Sequence, residues 1–367
     1  MKSSDEQDIV FMQMALDLAK QGQYSTHPNP RVGCVMVKDG KVIASGLHWK
    51  AGFEHAEINA LKLADCKDAT CYVTLEPCSH IGKTNPCVNA LIAAKIKRVV
   101  IANIDPNPQV KGKGIQALLN AGIDVSIGVL EKEATELNKG FFARMNRGAP
   151  YVRAKIGMSL DGKVAMQSGE SQWITGPASR LHVQQWRAQC GAIITGSETV
   201  IKDDCRLTVR EIETFLPDPT LFTQPLRVVI DSRNRVPRDK AIFQQSGKTL
   251  IATTAKPHMS EQDDIIILPQ KNGKVDLSAL LKWLGEKEIN DVLIEAGPTL
   301  VGALLQDGLI DELLLYIAPK ILGSEAKSFA AIPGLTKLSD CLNGEFIHTQ
   351  KIEKDMFVIM KLKEDEF

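Results

Sequence analysis

The chain has 367 residues, and its 44 basic and 44 acidic side chains give a formal net charge of zero. This length exceeds one typical domain of roughly 100–200 residues and suits two. Balanced charge disfavours a protein that coats nucleic acid, and no apolar run approaches the roughly 20 residues that span a bilayer. The polar first eight residues lack the apolar core of a signal peptide. We therefore expect a cytoplasmic protein with no nucleic-acid or membrane partner.

The first 148 residues are predicted to alternate helices with strands, which favours an α/β layered domain. Apolar residues at helical spacing predict a helix over 9–19. Asp39-Gly40 predicts the turn of a hairpin between strands at 32–37 and 41–45. Two more helices and two more strands are predicted over 55–64, 86–96, 70–74 and 98–104.

A second alternation begins with a predicted strand at Tyr151, and the proline-containing stretch 211–224 is predicted to be a surface loop. Strand candidates in this half lie at 192–195, 226–230, 249–253, 264–268, 291–294 and 312–317. We therefore expect two α/β domains, 1–148 and 149–367.

One histidine, two cysteines and a glutamate carry the strongest chemical signal in the first domain. His55-Ala-Glu57 is followed by Pro77-Cys78 and then by Cys87. A catalytic zinc ion takes three protein ligands and keeps a fourth position for water. A nearby carboxylate transfers protons during hydrolysis. The pattern is typical of zinc nucleobase deaminases, and it predicts one Zn²⁺ held by His55, Cys78 and Cys87, with Glu57 as the catalytic acid and base.

The segment between the two cysteines leaves alternatives open. Its eight residues, 79–86, replace the usual two, and His80 within it is a candidate fourth ligand of a purely structural zinc site. The segment also contains Lys83 and Thr84, and a cation beside hydroxyl donors suits an anionic substrate group such as a phosphate. A solvated surface loop would have the same composition.

Three glycine-containing segments bear on nucleotide binding. The first, 112–117, matches a dinucleotide fingerprint but does not follow a strand directly, so we interpret it as a turn before a packing helix. The segments 193–199 and 292–300 each predict a strand, a turn and a helix start, where backbone N–H groups bind anions. Each alone is a common α/β connection, and two of them in one domain indicate a nucleotide.

Short motifs run through both predicted domains. Those of the first are Asn29-Pro-Arg-Val-Gly, Gly46-Leu-His48, Ala51-Gly-Phe-Glu-His55-Ala-Glu57, Glu76-Pro-Cys78-Ser-His80-x-Gly-Lys83-Thr84 and Asp105-Pro-Asn107-Pro. Those of the second are Lys155-Ile-Gly157-Met-Ser-Leu-Asp161, Ser171-Gln-Trp173, Asp203-Asp204-x-Arg-Leu207-Thr-Val-Arg210 and Glu295-Ala-Gly-Pro-Thr-Leu. Together they resemble the family of bifunctional riboflavin biosynthesis deaminase/reductases.

The resemblance implies a cytidine-deaminase-like α/β/α domain followed by a dihydrofolate-reductase-like α/β domain. It implies zinc-dependent hydrolytic deamination of 2,5-diamino-6-ribosylamino-4(3H)-pyrimidinone 5′-phosphate in the first domain. In the second, it implies NADPH-dependent reduction of the ribosyl group, which gives 5-amino-6-ribitylamino-uracil 5′-phosphate. The partner is then a small phosphorylated pyrimidine. Because enzymes of this size often form symmetric assemblies, a homo-oligomer is a further expectation.

The resemblance also implies three sets of binding residues. The deaminase substrate should meet Asn29, His48, His80, Lys83, Asp105 and Asn107. The reductase substrate should meet Ser171, Arg187, Leu207, Arg210 and Glu295. NADPH should meet Gly157, Trp173, Thr199, Asp203, Ser232, Gly297, Pro298, Thr299, Leu300, Val301, Gly302 and Ala303.

Several of these residues also have a physical rationale. The arginines Arg187 and Arg210 offer planar pairs of donors for a phosphate, although each alone equally suits a surface ion pair. Glu295 can accept hydrogen bonds from sugar hydroxyls. Lys155 is a candidate catalytic residue that polarises or protonates the reacting sugar carbon centre. Three residues stand where the family often has proline and remove no functional side chain: Glu54, Asn85 and Cys205.

Two rival functions differ from this one in class. A deaminase of a free nucleoside or a tRNA base would need a basic or aromatic surface, which the 5% aromatic content and balanced charge do not favour. A nucleotide-sensing regulator would keep the pockets but would have no use for Glu57 as a proton carrier.

Overall fold

The structure of the protein, a computed structural model, describes residues 2–79, 86–216, 218–254 and 265–363, with the backbone alone for 2–5. The chain divides into two compact units. The first runs to Arg147 and also includes Thr220–Phe222, and the second begins at Gly148. The assignment of one activity to 1–148 and another to 149–367 stays a prediction.

The first unit is a five-stranded sheet with helices around it. Its elements are α1 (Lys2–Gln21), β1 (Gly33–Lys38), β2 (Lys41–Leu47), α2 (Ala56–Leu61), β3 (Thr70–Leu75), α3 (Cys87–Ala93), β4 (Arg98–Asn103), α4 (Lys113–Asn120), β5 (Asp124–Ile127), α5 (Glu131–Leu137) and α6 (Lys139–Arg147). The strand order is β2-β1-β3-β4-β5. Strand β1 is antiparallel to β2 and β3, whereas β3, β4 and β5 are parallel.

Alternating side chains bury both faces of this sheet. Met36 and Val73 pack in one apolar cluster, whereas Val35 and Tyr72 pack in a second cluster with α1. Residues that alternate along a strand point to opposite faces, so helices must cover both. The parallel strands β3 and β4 end at one edge of the sheet, and the segments that follow them carry Cys78, Asp105 and Asn107 of the predicted site.

The second unit contains a nine-stranded sheet. Its helices are α7 (Pro177–Gln189), α8 (Ser197–Asp203), α9 (Leu277–Glu286) and α10 (Pro298–Gln306). Its strands are β6 (Tyr151–Ser159), β7 (Lys163–Ala165), β8 (Ala192–Gly196), β9 (Leu226–Ile230), β10 (Thr249–Thr253), β11 (Ile265–Ile267), β12 (Gln270–Lys271), β13 (Lys274–Val275), β14 (Asp291–Ile294), β15 (Glu312–Ala318), β16 (Lys327–Ser328), β17 (Glu345–Ile352) and β18 (Asp355–Lys361). The large sheet has the order β11-β10-β9-β8-β14-β6-β15-β18-β17. It is parallel from β11 to β15 and antiparallel beyond.

Most predicted elements of both units are confirmed. The strands predicted at 226–230, 249–253 and 291–294 coincide with β9, β10 and β14 because both faces of these strands are buried and apolar. The predicted helix 55–64 ends earlier, at Leu61. The β17–β18 hairpin was not predicted, because the side chains of β17 are almost all exposed and lack an apolar alternation. Within the described ranges, no helix combines the length and apolarity needed to cross a bilayer.

Candidate functional sites

Three metal-binding side chains converge at one edge of the first unit's sheet. His55 precedes α2 as its N-cap, Cys87 begins α3, and Cys78 lies three residues beyond β3. The His55 Nδ1 atom lies 3.3 Å from Cys87 Sγ and 3.5 Å from Cys78 Sγ. All three ligand atoms lie within 4.8 Å of one another.

These donors fit a zinc ion. Tetrahedral zinc with Zn–S bonds of about 2.3 Å and Zn–N bonds of about 2.0 Å places its ligand atoms about 3.5–3.8 Å apart, close to the observed separations. Hydrogen bonds from the Cys87 thiol and the His55 ring lower the pKa of Cys78 to about 4, against the opposing effect of burial. The same Cys87–Cys78 hydrogen bond raises the pKa of Cys87. A cation bound between these donors would favour the thiolate form of both cysteines.

Glu57 lies beside these donors, in the first turn of α2. Its side chain is buried, with the residue only 3% exposed. Burial raises the pKa of Glu57, and the nearby His55 partly opposes that rise. A buried carboxyl group with a raised pKa holds a proton more readily than a solvated one, which suits a proton carrier.

His48 and Asn29 form a hydrogen-bonded pair near the donors. The His48 ring meets the His55 ring edge-on at 5.3 Å between centroids. His48 Nδ1 donates to the Glu54 carbonyl oxygen at 3.0 Å, because that oxygen only accepts. His48 Nε2 therefore accepts from Asn29 Nδ2 at 3.0 Å. Burial lowers the pKa of His48, which agrees with a neutral ring held in this tautomer.

The other predicted substrate residues follow β4. Burial raises the pKa of Asp105 to about 7, against a hydrogen bond from the Asn107 backbone N–H that lowers it. The Asn107 side-chain oxygen accepts from Gln109 N at 3.0 Å, which fixes the local turn. His80 and Lys83 lie outside the described residues. Glu76 lies in a family motif whose sequence indicates no role for it, and in the structure its carboxylate binds the loop that contains Asp105.

The glycine-rich segment after Asn107 is confirmed as a turn before a helix. Gly112 is the N-cap of α4, and its φ of 76° lies in the left-handed region that glycine favours. The first unit therefore offers no dinucleotide-binding strand–turn–helix at 112–117.

The second unit contains a cavity of about 1580 Å³. Fifteen of the predicted reductase residues line it: Lys155, Gly157, Ser171, Trp173, Arg187, Thr199, Asp203, Leu207, Ser232, Glu295, Gly297, Pro298, Thr299, Leu300 and Ala303. Three predicted residues do not. Val301 is buried in the core, a Cβ on Gly302 would lie 2.1 Å from the Ala331 carbonyl oxygen, and Arg210 is exposed elsewhere on the surface.

An ion-pair triad of the buried Glu295 with the partly buried Arg187 and Lys155 forms one wall of the cavity. Arg187 donates through Nε to Glu295 Oε1 at 2.5 Å and through Nη2 to Glu295 Oε2 at 3.1 Å. Lys155 Nζ lies 3.5 Å from the same Oε2. Burial alone would raise the pKa of Glu295, but Arg187 and Lys155 lower it to about 2. The guanidinium predicted to bind a phosphate is thus engaged with a carboxylate, and Arg187 also donates to the Thr208 carbonyl oxygen at 3.0 Å.

Two helix starts and one buried acceptor make the cavity suitable for a dinucleotide. The N-caps of α8 and α10, Gly196 and Gly297, line the cavity and make no side-chain cap. Backbone N–H groups in the first turn of a helix have no intrahelical partners and favour phosphate oxygens. Asp231, which sequence reasoning missed, also lines the cavity at 1% exposure, and its Oδ1 has no hydrogen-bond partner among the described residues. A buried acceptor of this kind suits a ligand hydroxyl or amino group.

Two family models match the chain. The model described as the cytidine and deoxycytidylate deaminase zinc-binding region matches residues 5–103, and the model described as the RibD C-terminal domain matches residues 150–358. The second covers more than half of the chain. The expected order of a cytidine-deaminase-like domain and a reductase domain is therefore confirmed.

Individual relatives match over nearly the full length. The riboflavin biosynthesis protein RibD of Escherichia coli K12 is 50% identical over 360 residues, which cover 95% of this chain and 98% of that one. An Acinetobacter baumannii RibD structure superposes with a TM-score of 0.92 at 45% identity, covering 98% of this chain and all of the other. A Thermotoga maritima structure, described as a diaminohydroxyphosphoribosylaminopyrimidine deaminase/5-amino-6-(5-phosphoribosylamino)uracil reductase, gives 0.85 at 31% identity with the same coverage.

The predicted identity, fold and enzyme class are thus confirmed together. The first unit carries a zinc-binding deaminase region, and the second carries a reductase domain. The chain belongs to the RibD family, the bifunctional deaminase/reductases of riboflavin biosynthesis.

Proposed function

We propose that residues 1–148 deaminate 2,5-diamino-6-ribosylamino-4(3H)-pyrimidinone 5′-phosphate and that residues 149–367 then reduce its ribosyl group with NADPH. The observation that carries this proposal is the separation of two kinds of site. A three-donor cluster beside a buried glutamate lies in one unit, and a large cavity with a charged triad lies in the other. The product is 5-amino-6-ribitylamino-uracil 5′-phosphate.

In the deaminase unit, His55, Cys78 and Cys87 would hold one zinc ion. When bound, zinc lowers the pKa of a water in its open position to about 7 and so supplies a hydroxide nucleophile. Glu57 takes a proton from the attacking water and delivers it to a pyrimidine ring nitrogen. It then takes the proton of the added hydroxyl group and delivers it to the departing amine, as the C–N bond breaks and the carbonyl forms. Hydrolysis converts the C–NH₂ group to a carbonyl and releases ammonia.

The residues around this cluster would hold the base and the ribose phosphate. His48 is fixed by the Glu54 carbonyl oxygen and in turn holds the Asn29 amide group, so the rest of that amide has a fixed direction towards the substrate. Asp105 is buried, and at a pKa of about 7 its carboxyl group serves as either donor or acceptor towards the exocyclic groups. Asn107 lies beside Asp105 and would contact the same side of the substrate. His80 and Lys83 belong to the segment that we propose to bind the phosphate.

In the reductase unit, the protein supplies position and charge. NADPH supplies the hydride for the sugar carbon when it is bound. Gly157, Trp173, Thr199 and Ser232 line the cavity that would hold it, together with the start of α10. Lys155 polarises or protonates the reacting sugar centre, and Glu295 holds the Lys155 ammonium group at 3.5 Å. Arg187 in turn fixes both carboxylate oxygens of Glu295.

The test is a paired assay of the purified chain with the diaminopyrimidine phosphate. We expect zinc in the protein, one ammonia released and one NADPH oxidised per substrate consumed. Cytidine and adenosine are the matched control substrates, and neither should release ammonia. Ammonia release from cytidine together with none from the diaminopyrimidine phosphate would contradict the proposed substrate.

A further inference from the structure

One buried carboxylate in the deaminase unit binds four backbone N–H groups. Glu76 follows β3 directly and is only 3% exposed. Its oxygens accept hydrogen bonds from Asp105 N at 3.2 Å, Gly112 N at 3.0 Å, Gly114 N at 2.9 Å and Ile115 N at 3.2 Å. Both oxygens act only as acceptors, so the group satisfies four otherwise unpaired donors. Such charge-assisted hydrogen bonds are roughly twice as strong as neutral ones.

This carboxylate explains the glycine-rich segment that resembles a dinucleotide fingerprint. Gly112 has no side chain with which to cap α4, and Gly114 and Ile115 lie in the first turn of that helix, where N–H groups lack partners. A Cβ on Gly114 would lie 2.2 Å from the Pro77 carbonyl oxygen, so a larger residue would separate the two segments. The helix start therefore binds an anion from its own chain in place of a phosphate.

The position of Glu76 joins the metal donors to the substrate wall. Cys78 lies two residues after Glu76, and the Glu76 backbone N–H donates to Asn103 O at 2.8 Å at the end of β4. Its side chain holds the backbone of Asp105, and Asp105 Oδ1 in turn accepts from Asn107 N at 2.8 Å. One side chain thus sets the distance between a predicted zinc ligand and two predicted substrate ligands.

We propose that Glu76 is a positioning residue of the deaminase that holds the 105–115 loop against the metal donors. The role in substrate binding rests on the proposed function. Glu76 does not touch the substrate. It acts through Asp105 and Asn107, so its loss should weaken substrate binding more than it weakens zinc binding.

The test is Glu76→Gln, which replaces one acceptor oxygen with an NH₂ group that faces backbone N–H donors. We expect kcat/KM for ammonia release to fall about 10- to 100-fold, mainly through KM, because displacements of about 1 Å at a reacting site cost this much. Zinc content and NADPH oxidation on the deaminated substrate should stay at wild-type values. Amide hydrogen exchange should accelerate within 105–115. The matched control is Glu133→Gln, an exposed glutamate of the same unit.

A second comparison separates positioning from general structural support. In an Asn107→Ala background, Glu76→Gln should raise KM by much less than it does alone, since both changes remove the same contact. Glu76→Asp, which keeps the carboxylate, should restore part of the affinity. Unchanged exchange in 105–115, zinc loss in Glu76→Gln, or fully additive effects would each overturn the proposal. If the wild type releases no ammonia from the diaminopyrimidine phosphate, the proposed function fails, and the exchange measurement still decides whether Glu76 holds the loop.

Discussion

The two units balance the charge at their sites in opposite ways. In the deaminase unit, the donor atoms of His55, Cys78 and Cys87 lie within 4.8 Å of one another, and hydrogen bonds from Cys87 and His55 lower the pKa of Cys78. In the reductase unit, Glu295 lies between Arg187 and Lys155, so the protein itself pairs the charge. The first arrangement would be completed by a cation, whereas the charged side chains of the second already pair with one another. Activity in the first unit should therefore depend on bound metal, and activity and stability in the second should depend on its internal ion pair.

The largest expected effect comes from removing a metal donor. Cys87→Ser should abolish zinc binding and ammonia release, because three donors are the minimum for a catalytic zinc site. NADPH oxidation on the deaminated substrate should continue at the wild-type rate. Metal analysis and the two activity assays measure this. Cys66→Ser, a buried cysteine of the same unit outside the cluster, is the control. Equal zinc content in both variants would remove Cys87 from the ligand set.

Glu57→Gln should separate catalysis from metal binding. Because the amide cannot accept and return a proton, the rate of ammonia release should fall by about 10²- to 10⁴-fold. Zinc content should not change, since Glu57 is not a donor in the three-atom cluster. The measurement is kcat for ammonia release with metal analysis of the same sample. A rate close to that of the wild type would show that another group carries the proton.

Glu295→Ala should have the converse effect in the second unit. It leaves the Arg187 and Lys155 charges unpaired in a largely buried place, so unfolding should become easier by about 3–5 kcal/mol and the reductase should lose activity. Ammonia release should remain. Urea unfolding followed by tryptophan fluorescence measures the stability, and the exposed Glu286→Ala is the control. A loss of deamination in Glu295→Ala would contradict the assignment of one activity to each unit.

The smallest effect is a pH dependence of stability. The pKa of Glu295 is lowered from its ordinary 4.5 to about 2. Its stabilisation is therefore fully present above about pH 4.5 and is lost as the pH falls towards 2. The amount is about 3 kcal/mol, since one pKa unit corresponds to about 1.4 kcal/mol. The difference in unfolding free energy between the wild type and Glu295→Gln should shrink between pH 5 and pH 3. A constant difference would mean that the ion pair does not hold the carboxylate charged.

The deaminase site was the easier of the two to predict from sequence. Its donor types and the glutamate lie within 55–87, and their spacing alone indicates zinc chemistry. Glu76 was missed although it lies in the same motif. Its partners are backbone N–H groups of 105–115, and backbone donors leave no signal in residue identity. One sequence feature could have indicated the contact. Glu76 follows a buried strand, and Gly112 and Gly114 lie at the start of a helix that has no side chain to cap it.

The family resemblance predicted fifteen of the residues that line the reductase cavity, but the pairing of charges within it required the structure. Lys155, Arg187 and Glu295 come from β6, from α7 and from the end of β14, so only the sheet order brings them together. The sequence suggested a phosphate-binding Arg187, but its partner Glu295 lies 108 residues away. The sequence around Asp231 contains no motif that marks it as a binding residue. Whether an acceptor atom lacks a hydrogen-bond partner depends on the groups that surround it in the fold, which the sequence does not show. Local spacing thus reveals a site built from neighbouring residues, and it does not reveal which charges a fold will pair.

The most direct test of the two-site account compares both activities in Glu57→Gln and Glu295→Ala, each assayed on the substrate of each step. The account predicts a crossed result. Glu57→Gln loses ammonia release and keeps NADPH oxidation on the deaminated substrate, while Glu295→Ala keeps ammonia release and loses NADPH oxidation. If either variant loses both activities while it stays folded, the two sites are not separate and the account is wrong.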